Sequence, residues 1–198
     1  MVRALTRKKF LLTAGGAVSA AVAGGAAIGS LGATASARAA PSPEQDRRIL
    51  GFLLGVERIE LAFYEDVRRA DRLRGELEEF AAAALIHERD HVAMLESALG
   101  AGAAPPRHLG VGDALGRPEA FVAKAIALED AAVAAFNGQV TNLTAARVPA
   151  VCAIVSVDAR RAAWIRDIGG LAPAAAATDA PLTADEVRRV LQRQGLLA

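Results

Sequence analysis

Apolar residues recur at steps of three and four through four long stretches of the chain, the spacing that gathers them on one face of an α-helix. From Glu44 to Arg69 they are Ile49, Leu50, Leu53, Leu54, Leu61, Tyr64 and Val67. A second stretch runs from Gly75 to Leu99, where Gly100-Ala101-Gly102 ends it and Pro105-Pro106 keeps it ended. A third begins at Pro118, a favoured first-turn residue, and reaches Leu143. A fourth begins near Pro149 and stops at Gly169-Gly170. An Ala/Pro linker, Leu171 to Pro181, leads to a short helix that opens with the capping box Thr183-Ala184-Asp185-Glu186 and closes near Gly195. No stretch alternates apolar and polar residues as a strand does. The pattern predicts an all-α protein: an antiparallel four-helix bundle with a short extra C-terminal helix packed on its outside.

The core-facing stripe of each long helix has an unexpected interruption. In the first it reads Leu50, Leu53, Glu57, Glu60, Tyr64, Val67, and in the second Leu77, Ala81, Ala84, Glu88, His91, Leu95. In the third it reads Val122, Ile126, Glu129, Val133, Phe136, and in the fourth Val151, Ile154, Asp158, Arg161, Ile165, Ile168. Every stripe is broken near its middle by ionisable groups, and interruptions at one depth in four helices imply one shared buried site. An unpaired buried carboxylate costs several kcal/mol, so these acids must meet cations or hold protons. Carboxylates with imidazole suit iron, manganese or zinc. The halves also echo each other. Glu57 precedes Tyr64 by 7 residues, as Glu129 precedes Phe136 by 7, and the Glu57–Glu88 and Glu129–Asp158 separations are 31 and 29.

Composition agrees with helices: 53% of the residues are hydrophobic but only 4% aromatic, and alanine, the best helix former, supplies much of the difference. The net charge of +1 hides an asymmetry. The first 37 residues hold Arg3, Arg7, Lys8 and Lys9 and no acid, leaving 19 basic against 22 acidic residues in the rest. No basic stripe with interleaved aromatics supports nucleic-acid binding. A Gly/Ala-rich apolar stretch follows the cations, from Phe10 to about Leu31, and then Ala35-Ser36-Ala37 and Ala37-Arg38-Ala39 offer A-x-A cleavage patterns. That order is the layout of a secretory signal. Residues 1–39 therefore read as an export signal, 40–170 as the bundle, and 171–198 as linker and short helix. The expected location is extracytoplasmic, in the envelope or secreted, with membrane contact only if the signal stays uncleaved. The lone Cys152 excludes an internal disulfide and, in its apolar run, reads as a small core residue. His108 lies in a Pro/Gly loop and reads as solvated, and Trp164 as packing.

These motifs resemble the ferritin-like superfamily, in particular exported ferritin-like domain proteins akin to desiccation-related proteins, over roughly Gln45 to Gly170. Thr6-Arg7-Lys8-Lys9-Phe10-Leu11-Leu12 is similar to a twin-arginine export signal with lysine at the second arginine. The resemblance implies a Glu from each of the first and third helices and a Glu-x-x-His from each of the other two. Glu57 fits the first, within Val56-Glu57-Arg58-Ile59-Glu60-Leu61-Ala62-Phe63-Tyr64. Glu88-Arg89-Asp90-His91 fits the second fully, and Glu129 in Leu128-Glu129-Asp130 the third. The fourth departs, with Asp158-Ala159-Arg160-Arg161. The implied metal residues are thus Glu57, Glu88, His91, Glu129 and Asp158, and Arg161 modifies the site.

Arginine cannot ligate a metal. By resemblance, Glu57 and His91 would hold one ion with Glu88 and Asp158 bridging, while Arg161 pairs with Glu129 in place of the second ion. The expected cofactor is one iron or manganese ion, or none, with weak or absent ferroxidase activity. Glu60, one turn from Glu57, reads either as a member of the site or as a helix-edge acid. Tyr64 reads as a core aromatic or as a donor to a ligand carboxylate. A metal-free structural or partner-binding bundle of the envelope stays open, as does a homodimer. His87-Glu88-Arg89-Asp90-His91 also satisfies the H-E-x-x-H zinc-hydrolase pattern. Neither the third histidine of the extended motif nor strands for a protease cleft accompany it.

Overall fold

A computed structural model describes residues 40–100 and 117–197. The segment expected to be an export signal, residues 1–39, and His108 fall outside these residues. Five α-helices are present among them: α1 (Pro43–Ala70), α2 (Glu76–Leu99), α3 (Pro118–Gln139), α4 (Val148–Ile168) and α5 (Ala184–Arg193). A 3-10 turn, Val140–Asn142, continues α3. No described helix is long and apolar enough to cross a membrane.

Local chemistry sets the helix ends. Ser42 Oγ accepts from Gln45 N at 3.2 Å and Pro43 fills the first turn of α1. Asp71, at φ 49°, turns the chain out of α1 through the left-handed region. Gly100, at φ 78°, ends α2. Thr183 and Glu186 close the capping box of α5.

Two levels of side chains fix the helix directions. One holds the ionisable residues; the other is aromatic. Phe63 stacks on Phe121 with centroids 5.8 Å apart, Tyr64 meets Phe80 at 6.0 Å, and Phe80 meets Trp164 at 5.2 Å. The aromatic level lies C-terminal to the ionisable one in α1 and α4, and N-terminal to it in α2 and α3. Contacts run α1–α2, α3–α4, α1–α3 and α2–α4, so each of these four helices is antiparallel to the long helices it packs on. The α5 helix packs on α3 through Val187 and Leu191. Its linker crosses α3 at Gly138, where Leu182 N donates to Ala134 O at 3.0 Å.

At that crossing a Cβ on Gly138 would fall on the Leu182 carbonyl. Gly138→Ala is expected to lift the linker and destabilise the protein by about 1–3 kcal/mol, the usual cost of overpacking. A melting-temperature comparison checks this; an unchanged value would mean that the crossing is not tight.

The apolar stripe departs from its expected course at one end. Leu77, Val122, Ile126 and Ile168 are half-buried, and the core positions nearby belong to Phe80, Phe121, Ala125 and Leu128. The four displaced residues help line a pocket of about 620 Å³. They pack on the edge of the core, where Gly169 at the end of α4 comes close to Val122 and Ile126. Cys152 corrects the expectation of a core residue: it is exposed, because Val151 and Ile154 take the inward positions of that turn.

Candidate metal centre

The ionisable level is dry. Glu57, Glu60, Glu88, Glu129 and Asp158 are each 0% exposed, Arg161 is 2% and His91 5%. Apolar residues precede and follow each acid along its helix, which keeps the level buried. At this level, among the described residues, five carboxylates therefore share the interior with a single guanidinium.

The cluster has two halves of matching geometry. In one, His91 Nδ1 lies 3.1 Å from Glu57 Oε2 and 3.3 Å from Asp158 Oδ1. In the other, Arg161 Nε donates to Glu129 Oε2 at 3.0 Å and Nη2 to Asp158 Oδ1 at 3.0 Å. His91 follows Glu88 by three residues, as Arg161 follows Asp158. Arg161 therefore stands to Glu129 as His91 stands to Glu57, and the internal echo of the sequence becomes a local pseudo-symmetry. Arg161 also makes an ion pair with Glu88 and reaches within 3.9 Å of Glu60.

One half fits a metal ion. Glu57, Glu88, His91 and Asp158 each offer a ligand atom, and these atoms all lie within 4.8 Å of one another. Three oxygens and an imidazole suit a first-row divalent ion. Glu57 Oε1, Glu88 Oε2 and Asp158 Oδ2 are buried without a hydrogen-bond partner, which a cation would satisfy, while Glu88 Oε1 faces Arg161. The other half does not fit, because Arg161 fills the space beside Glu129. Glu129 thus stands apart from the ligand quartet with which the sequence grouped it. Its Oε1 accepts a 2.5 Å hydrogen bond from Tyr64 and its Oε2 the bond from Arg161. Tyr64 is both a fully buried core aromatic and this donor. Glu60 faces the interior with both oxygens unpartnered. Trp164 packs edge-on against Phe80 and donates to Glu76 at 3.0 Å.

Burial dominates the electrostatics. It raises Glu57 to about 8, with Asp158 adding to the effect. Burial also holds Glu60, Glu88 and Asp158 well above the carboxylate range, helped by their carboxylate neighbours. For Arg161 burial works the other way, but Glu129, Glu88 and Glu60 outweigh it and keep the guanidinium charged. Burial lowers His91 and His87, so both are neutral imidazoles near pH 7. Without metal, protons take the place of cations.

This sets a pH dependence. Glu57 binds its proton more tightly folded than unfolded, so its contribution is complete below about pH 4.5 and is lost as pH rises through about 8. The lowered histidines act oppositely, but only below about pH 6.5. The metal-free protein is therefore expected to melt at progressively lower temperature from pH 7 to 8.5. Melts in a chelating buffer test this, and a flat or rising profile would contradict protonated interior acids.

Two further residues have surroundings that spacing alone does not reveal. Asp46 is buried, its oxygens accepting from Thr144 N at 2.9 Å and Thr144 Oγ1 at 2.6 Å, which ties the start of α1 to the turn before α4. Only long-range contact reveals it. His87 entered solely through the zinc-hydrolase pattern. The glutamate of that pattern, Glu88, is fully buried and paired with Arg161, which does not suit a base that must meet water and substrate.

An antiparallel bundle enclosing carboxylates and a histidine from separate helices defines a class of helical proteins able to hold a metal ion in the core. Residues 45–170 match the Ferritin-like domain family, and the chain belongs to it. The match spans all four long helices. No curated protein matches the sequence.

Proposed function

We propose that this is an exported ferritin-like protein of the desiccation-related type that holds one divalent metal ion, iron or manganese, at Glu57, Glu88, His91 and Asp158. The observation that carries the reading is the pairing of four convergent ligand atoms with Arg161 at the pseudo-symmetric position of His91. One divalent ion and one guanidinium supply three positive charges to five buried carboxylates, and the balance is carried by retained protons, most readily on Glu60. The bound ion would supply Lewis-acid and one-electron chemistry. The chain's own residues exclude water, orient the carboxylates, and deny the neighbouring position to a second ion. Ferroxidase turnover, which normally uses two adjacent irons, is accordingly expected to be weak or absent. Export rests on the cationic, Gly/Ala-rich and A-x-A segments of residues 1–39.

A metal-free bundle is the competing reading, favoured by the dense pairing of Arg161. The unpartnered carboxylate oxygens of Glu57, Glu88 and Asp158 weigh against it. Elemental analysis after exposure to iron, manganese or zinc and dialysis separates the two. The parent is expected to retain one equivalent and Glu88→Ala to retain nearly none. Equal retention in both would place the metal elsewhere, and none in either would leave the structural reading.

A further inference from the structure

We propose that His87 is the uptake ligand of this centre: a half-buried imidazole that takes a divalent first-row transition-metal ion from solvent and passes it inward. The inference rests on the reading of the buried quartet as a metal centre and adds how an ion reaches it.

The quartet is closed to water. Glu57, Glu88 and Asp158 have no exposed surface, and His91 has 5%. A hydrated ion cannot enter whole; its waters must be replaced stepwise by protein donors, beginning at the surface. His91 cannot begin the exchange with Nδ1, which is turned inward against Glu57 and Asp158. One turn earlier on α2, His87 lies alongside it, with ring centroids 6.5 Å apart and planes at 22°. Imidazoles four residues apart on a helix are a recurrent grip for transition metals. His87 Nδ1 is also buried without a hydrogen-bond partner, a polar atom to which the fold gives no task.

The neighbouring positions are donors too. Asp90 is exposed and close enough for its charge to act on both imidazoles. Met94 is 43% exposed. His87, Asp90, His91 and Met94 occupy i, i+3, i+4 and i+7, one stripe of the helix. Among the described residues only the buried quartet gathers its donor atoms within 4.8 Å. The outer stripe is open, so it would hold an ion loosely, as a relay requires; a tight outer site would trap the ion.

Stopped-flow mixing of the metal-free full chain with Co²⁺, read by the ligand-field absorption of the bound ion, tests the proposal. His87→Ala should slow uptake about tenfold or more, the scale on which supporting groups act at metal sites. The final stoichiometry and spectrum should match the parent, and added imidazole should restore part of the rate. Asp90→Asn should slow uptake less. Equal rates in the parent and His87→Ala overturn the proposal. So does loss of bound Co²⁺ at equilibrium in a folded His87→Ala, which would make His87 a resident ligand. If the parent takes up no Co²⁺, the metal-centre reading fails and uptake with it, a result distinct from uptake at an unchanged rate.

Discussion

Arg161→Met is expected to destabilise the metal-free protein by about 3–5 kcal/mol near pH 7.5, the cost of removing one partner from a buried ionic cluster. Methionine nearly fills the volume, so a cavity is not the cause. The loss is electrostatic: Glu129 forfeits its 3.0 Å donor, and Glu88 and Asp158 forfeit their shared cation. For a domain of this size the melting temperature should fall on the order of 10 °C. The deficit should shrink towards pH 5, because the stranded carboxylates can then take up protons. Arg161→Lys should recover only part of the loss, since a point charge cannot face Glu129 and Asp158 together as the guanidinium does. Urea titrations at both pH values measure these differences. A change below about 1 kcal/mol at pH 7.5 would show that the pairings contribute little and that Arg161 is not the counter-ion of the cluster.

The second large effect is a gain. Arg161→His places an imidazole opposite Glu129, at the position related to His91 by the pseudo-symmetry of the two halves. It also removes the positive charge that would repel a second ion. Retained iron or manganese should rise from one equivalent per chain towards two, and ferroxidase activity should rise with it. Elemental analysis and an iron-oxidation assay read the two outcomes. An unchanged metal content would mean that the position beside Glu129 is closed by something other than the guanidinium, and would count against the geometry argued above.

How much of this was legible in the sequence differs by element. In α1 the stripe Leu50, Leu53, Glu57, Glu60, Tyr64 and Val67 is buried throughout, because α2 and α3 both pack against that side of α1. The acids of α2, α3 and α4 were legible for the same reason: an ionisable residue inside an otherwise regular stripe has nowhere else to point. The stripe failed at Leu77, Val122, Ile126 and Ile168, where periodicity continues but the residues line an open pocket at the edge of the core. It failed again at Cys152, where an unbroken apolar run hid which residue of the turn faces out. Glu60 stayed ambiguous because an acid one turn from another fits either the stripe or its edge; only the packed neighbours place both its oxygens indoors. Which ions meet was harder still. Spacing brought Glu129 and Arg161 to one level, but the separation of the quartet from the Glu129–Arg161–Tyr64 group needed distances. The exposure and orphaned nitrogen of His87 could not be read from a motif that named it for another chemistry.

The central claim, that a guanidinium replaces the second ion of a paired site, is tested most directly by anomalous scattering from crystals grown with manganese or iron. One peak per chain is expected, among Glu57, Glu88, His91 and Asp158, with Arg161 still joined to Glu129. A second peak beside Glu129 with Arg161 displaced would contradict it, and so would the absence of any peak at the quartet.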